Sequence, residues 1–346
     1  MIPSDGQGDL PAPPPPPSAP PPGPPPANRP GAGTFTIEGR AAPGLFLAGW
    51  LGTLIGGVVL FVSLQAADGP AKQALFIGGL VLVSLGLIAA AGSQAIERRA
   101  RGVGPYAGPS PLLVFIACVA TSLVLLVLLG VPLQVAGIEP DGPIAAVVGL
   151  LVQVAVYVLL IRLLVVDTGA LSWRQMGVRP PSSEALRGFG IGVAWALPII
   201  LLTGLLANFL VSWFGVSPES PLPPAGDPGG IVLNLIAGAV LAPIGEELFF
   251  RGFLTTAWVV SFGATRGVIL GGLLFAFVHI VGIQAATFEQ GLPLALIGFA
   301  ARVPIGLALG WLFVRKGTIW APIGLHAAFN GILLVFAEVY AQNPPI

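Results

Sequence analysis

Nine stretches of this chain are apolar for long enough to cross the ~30 Å hydrocarbon layer of a bilayer. They fall at roughly 44–66, 74–96, 111–133, 143–166, 188–213, 230–258, 266–286, 292–314 and 318–340. A segment in lipid has no water to satisfy its backbone, so spans of this length are helices. The expected fold is therefore all-α, a polytopic membrane bundle of about nine transmembrane helices. Composition agrees: 55% of the 346 residues are hydrophobic and 9% charged, against ~25% charged in soluble domains, and the mean hydropathy is +0.91. The formal net charge of zero excludes nucleic-acid binding by bulk electrostatics. Glycine pairs four residues apart, Gly52/Gly56, Gly188/Gly192, Gly267/Gly271 and Gly306/Gly310, mark helix faces that approach closely in lipid. The single cysteine, Cys118, lies in an apolar run and reads as a packed thiol.

Residues 1–43 are of another kind. Proline dominates them, in runs such as Pro13–Pro17 and Pro20–Pro22, and they cannot build a core. They are expected to form a disordered tail, and they lack the basic start and apolar run of a signal peptide.

Loop charges give an orientation. Arg98, Arg99 and Arg101 follow the second span; Arg174, Arg179 and Arg187 lie between the fourth and fifth; Arg266 lies between the sixth and seventh; Arg315 and Lys316 lie between the last two. The alternate loops carry Glu139 and Asp141, Glu219 and Asp227, and Glu289. Basic loops stay in the cytoplasm, so the N-terminal tail is expected inside and the C-terminus outside. The first four spans hold almost no charge apart from Arg162 near an end. They read as an accessory unit, 44–184, preceding a working unit, 185–340.

Charges inside the later spans need a reason, because each costs at least ~2.5–3.5 kcal/mol to insert. The sixth span reads Glu246-Glu247-Leu-Phe-Phe-Arg251. Glu247 and Arg251 are one turn apart in the favourable order for an ion pair, which leaves Glu246, turned about 100° away, as the available carboxylate. The seventh span carries Phe275 one turn before His279, and the last carries His326 and Asn330 on one face. At 1.5 Å per residue, His326, His279 and Glu246 lie ~12, ~20 and ~18 Å from the basic ends of their helices. They share one layer. The residues alone permit three readings: a hydrolytic centre, a polar cluster that locks helices together or binds a partner, and a proton relay in a transporter, for which Arg302 in the eighth span would be the further charge.

Glu246-Glu247-x-x-x-Arg251, Phe275-x-x-x-His279 and His326-x-x-x-Asn330, in that order on three helices, resemble the three motifs of the CAAX-protease and bacteriocin-processing (CPBP) family, which includes the eukaryotic prenyl-protein endopeptidases. The run Gly310–His326 also resembles the family's approach to its last motif, and the likeness extends over roughly 185–335. The resemblance implies an intramembrane endopeptidase in which Glu246 activates a water, His279, His326 and Asn330 complete the catalytic site, and Glu247 and Arg251 support it. It leaves open a metalloprotease, with zinc on Glu246, His279 and His326, or a metal-free glutamate mechanism. No His-Glu-x-x-His motif occurs. The expected partners are a peptide or membrane-protein substrate and the lipid bilayer. The expected location is a bacterial inner membrane, with the pocket open to the cytoplasm. A non-catalytic scaffold or bacteriocin-immunity protein is the alternative, and a proton-coupled transporter the next.

Overall fold

Proline sets where most of the helices begin. Its fixed φ and missing N–H suit the first turn of a helix, and α1 (Pro43–Gln65), α2 (Pro70–Arg101), α3 (Pro111–Val135), α4 (Pro143–Val166) and α6 (Pro228–Phe262) all start on one. The others are α5 (Ser183–Phe214), α7 (Ala264–Val278), α8 (Phe288–Lys316) and α9 (Trp320–Gln342). Gly215 and Gly317 take left-handed φ values of 69° and 63° to end α5 and α8.

The computed structural model describes residues 36–102, 104–217 and 224–342. The expectation of a disordered tail falls mostly on 1–35, and Glu219 of the orientation argument on 218–223; both lie outside the described residues. Contacts divide the chain into Met1–Arg40 and Ala41–Ile346, and every described helix belongs to the second unit. Within it no break separates 44–184 from 185–340.

Eight of the nine helices among the described residues are long and apolar enough to span a membrane. Their outward faces are lined with exposed Leu51, Phe61, Leu201, Leu205 and Trp213, an apolar surface far larger than a water-soluble protein tolerates. The chain is a multi-pass helical membrane protein. The ninth helix differs from expectation: α7 has 15 residues and stops at Val278, where the hydropathy pattern predicts a span to 286. At 1.5 Å per residue it is ~22 Å long, so His279 sits at its C-terminal end rather than inside a continuous span. The apolar run continues through Ile280 and Val281, and this continuation misleads a hydropathy reading. The chain instead turns at 279–282. Irregular backbone at membrane depth is tolerated where protein or a cavity surrounds it.

The glycines bring helices together as their spacing suggests. Gly52 faces Gly86 of α2, Gly306 faces Gly272 of α7, and a side chain on Gly192 would collide with the Ala321 carbonyl and the Leu325 amide of α9. The core is aromatic where α6 crosses the bundle. Phe249 stacks near Phe115 of α3 and Tyr157 of α4, with ring centroids 5.6 and 4.8 Å away, and Phe249, Phe250 and Phe253 are all at most 2% exposed. Cys118 is fully buried.

Candidate active site

α6 is not a uniform α-helix. Over 236–241 and again over 247–255 its backbone bonds span five residues, giving two π stretches on either side of Glu246. Such widened turns favour functional sites because they re-aim side chains and leave carbonyls free. Here Glu246 turns towards His279 and His326 and Glu247 towards His326, and the Gly238 carbonyl accepts a hydrogen bond from Asn330 Nδ2 at 2.8 Å.

Glu247 is completely buried, and its Oε1 is shared. Arg251 Nη1 donates to it at 2.9 Å, and His326 Nδ1 lies 2.7 Å from the same oxygen. Arg251 also donates to the Gly306 carbonyl at 3.2 Å, and its guanidinium lies 4.3 Å from the Phe275 ring centroid. The expected ion pair is present. The sequence did not reveal that the same carboxylate would orient a histidine from a helix 79 residues away.

Hydrogen bonding then fixes both imidazoles. The Phe275 carbonyl, 2.6 Å from His279 Nδ1, can only accept. The carboxylate of Glu247, facing Arg251, likewise accepts from His326 Nδ1. Nδ1 is then the donor in both rings, and in its neutral form each imidazole presents a bare Nε2. These two nitrogens converge on one atom: Glu246 Oε2 lies 3.6 Å from His279 Nε2 and 3.9 Å from His326 Nε2. That oxygen is buried and has no hydrogen-bond partner among the described residues. The Phe275 ring is the common floor, 4.5 Å from the His279 ring and 5.7 Å from the His326 ring.

All of these groups except Glu247 and Arg251 line a cavity of about 760 Å³, walled otherwise by apolar residues and by Ser122, Gln153 and Thr203. Arg302 also lines it, donating to the Gly298 carbonyl at 3.0 Å. Among the described residues no carboxylate lies within ion-pair distance of it. Spacing gave little hint of this, because Arg302 belongs to no motif with another ionisable residue.

Residues 228–332 match the family model described as type II CAAX prenyl endopeptidase Rce1-like. This segment is a Rce1-like CAAX-protease domain. It runs from the first residue of α6 to just past Asn330, so it contains all seven motif residues but begins later than the 185 suggested by resemblance. No curated protein and no solved structure matches the chain. The match over this segment supports a CAAX-protease-type hydrolase, and the eight long apolar helices suit a lipid bilayer.

The donors of this Rce1-like site fit zinc in type. A carboxylate oxygen and two imidazole nitrogens converge, and Glu247 backs His326 as carboxylates commonly back metal-bound histidines. Their spacing is wide for it: 3.6 and 3.9 Å from Glu246, against ~3.3 Å between corners of a tetrahedron with ~2.0 Å bonds. Among the described residues no group of three such side chains has metal-holding geometry.

Proposed function

We propose that the protein is an intramembrane endopeptidase whose nucleophile is a water held between Glu246, His279 and His326. One observation carries this reading. Glu246 Oε2 is a buried acceptor without a donor, and the two nitrogens nearest to it are acceptors as well. With both imidazoles neutral, three acceptors face one point, and a water that donates to two of them suits it. A buried polar site of this kind is where an ordered water is held.

The reaction follows from that arrangement. As the water oxygen attacks the peptide carbonyl carbon, Glu246 takes a proton from it, acting as general base. The negative charge that develops on the carbonyl oxygen needs donors, and the cavity offers the second N–H of Asn330 and the guanidinium of Arg302. The imidazoles hold the water in place. Collapse of the tetrahedral intermediate breaks the C–N bond, and the protonated Glu246 returns its proton to the leaving amine. Glu247 and Arg251 fix the tautomer and angle of His326. If zinc is bound, Glu246, His279 and His326 hold it, and it supplies Lewis-acid activation of a water to a pKa of ~7.

The basic turns support a cytoplasmic side for the N-terminal tail, and the proposed membrane is a bacterial inner membrane. The scale of the cavity supports a peptide segment as occupant. The test uses full-length protein purified in detergent and a library of quenched fluorescent peptides. Glu246→Gln should lower cleavage by about 10²–10⁴-fold, the usual worth of a general base, while melting at the wild-type temperature. Cleavage at the wild-type rate by this variant would remove the assignment. Metal content of the same active preparation distinguishes the zinc and metal-free forms.

A further inference from the structure

We infer that Gln153, on α4, is a substrate-positioning residue whose side-chain amide hydrogen-bonds the backbone of the bound peptide beside the bond that is cut. The inference rests on the endopeptidase reading above. It adds to that reading a residue outside the matched segment 228–332.

Packing alone gives no reason for an amide at this position. The surrounding run is Leu150-Leu-Val-Gln153-Val-Ala-Val156, and a polar group inside a span needs partners. Only part of its capacity is met. Nε2 donates to the Tyr157 hydroxyl at 3.0 Å, one turn further along the same helix. A glutamine carries two N–H donors and an acceptor oxygen, and among the described residues nothing donates to Oε1. The bond to Tyr157 steadies the amide, and the residue lines the cavity. Its second N–H and its oxygen are left for an occupant.

Contacts between helices set the height of this amide. Leu126 of α3 lies against Gly149 of α4, and Phe115 and Tyr157 both pack on Phe249, so α3 and α4 run antiparallel. Ser122 comes one turn before Leu126 and Gln153 one turn after Gly149, which brings the two to one level. Ser122 is 8% exposed, and its Oγ is buried without a partner among the described residues. Two polar groups with unused capacity therefore meet on one stretch of an otherwise apolar wall. α4 and α6 run side by side in the same sense, with Pro143 by Gly230 and Val154 by Gly245. Gln153 precedes Val154 and Glu246 follows Gly245, so the amide and the proposed base share a height on neighbouring helices. Both line the cavity.

A peptide that enters this cavity gives up the water on its backbone, and any N–H or C=O left unpaired is then costly. The nearby wall residues Leu126 and Leu150 offer no partner. Gln153 Oε1 can accept from one backbone N–H, and its free N–H or the Ser122 hydroxyl can donate to a carbonyl. One residue of extended chain covers ~3.3–3.6 Å, so a group level with Glu246 meets the residues flanking the scissile bond. The carbonyl under attack is left to Asn330 and Arg302.

Single-atom changes in the substrate test this. In a peptide that wild type cleaves, each backbone N–H other than the scissile one is replaced in turn by an ester oxygen, which deletes a donor and little else. Cleavage gives KM and kcat, and fluorescence anisotropy of the same peptides gives Kd without turnover. One ester close to the scissile bond should raise KM and Kd about two- to tenfold, the usual worth of a neutral hydrogen bond, at unchanged kcat. Gln153→Met, similar in shape but without the amide, should raise both by the same factor for the all-amide peptide. It should also abolish the difference between amide and ester at that position. Gln153→Leu takes its place if Gln153→Met does not accumulate. Wild type indifferent to every ester overturns the inference, and so does a Gln153 variant that keeps the ester effect or loses kcat alone. A glutamine that only braces α4 through Tyr157 would give those results. Anisotropy reads binding by itself, so a failure here leaves the role of Glu246 standing, and a failure of that role leaves the ester response readable.

Discussion

Glu246 and Glu247 are adjacent in sequence and have opposite surroundings. Each leaves its Oε2 without a donor among the described residues, but Glu247 spends Oε1 on Arg251 and His326 in a fully buried cluster, whereas Glu246 lines the cavity between His279 and His326. Removing one member of a buried ion pair strands the other, at about 3–5 kcal/mol. Glu247→Gln should therefore lower the thermal midpoint sharply and also reduce activity, because His326 loses the group that holds its proton on Nδ1. Glu246→Gln should leave the midpoint unchanged. Differential scanning fluorimetry on the two variants separates the roles. The motif spacing made the Glu247–Arg251 pair legible and singled out Glu246. It could not reveal the link to His326, since that contact joins α6 to α9 through a π stretch that no propensity scale registers. Arg302 was noticed only as a stray charge, because its cavity is formed by helices distant in sequence.

At the scale of elements, hydropathy located eight spans well and misjudged the seventh. Composition reports how apolar a run is, not where its backbone stops, and α7 stops just before His279, whose side chain returns to the Phe275 carbonyl. Packing was more readable, because glycines at a four-residue spacing have few other uses in lipid. The α5–α9 contact is the most demanding of these. Gly192→Val places atoms where the Ala321 carbonyl and Leu325 amide already lie, so the backbones must separate. Overpacking usually costs about 1–3 kcal/mol, and the displaced helix carries His326 and Asn330. Loss of cleavage together with a lower midpoint is the expected outcome. Wild-type values for both would show that the contact is softer than its geometry implies.

For the whole molecule, the first four helices matter more to the site than an accessory label implies. α3 and α4 supply Ser122, Leu126, Ala146, Gly149, Leu150 and Gln153 to the cavity wall. Gly149 is open where Gly192 is crowded: its nearest neighbour would be Leu126 Cδ2, 3.8 Å from an added Cβ. Gly149→Trp should therefore fill the cavity without disturbing the fold. Peptide KM should rise about tenfold, equivalent to ~1.4 kcal/mol of binding, at an unchanged midpoint. Unaltered steady-state kinetics in this variant would mean that the wall formed by α4 is not used.

The shared oxygen of Glu247 ties α6 and α9 to one another. A disturbance that loosens the last helix releases the arginine on the sixth, and one that strains the sixth tilts the ring on the last. Damage to either is felt at both, and the centre fails as a unit.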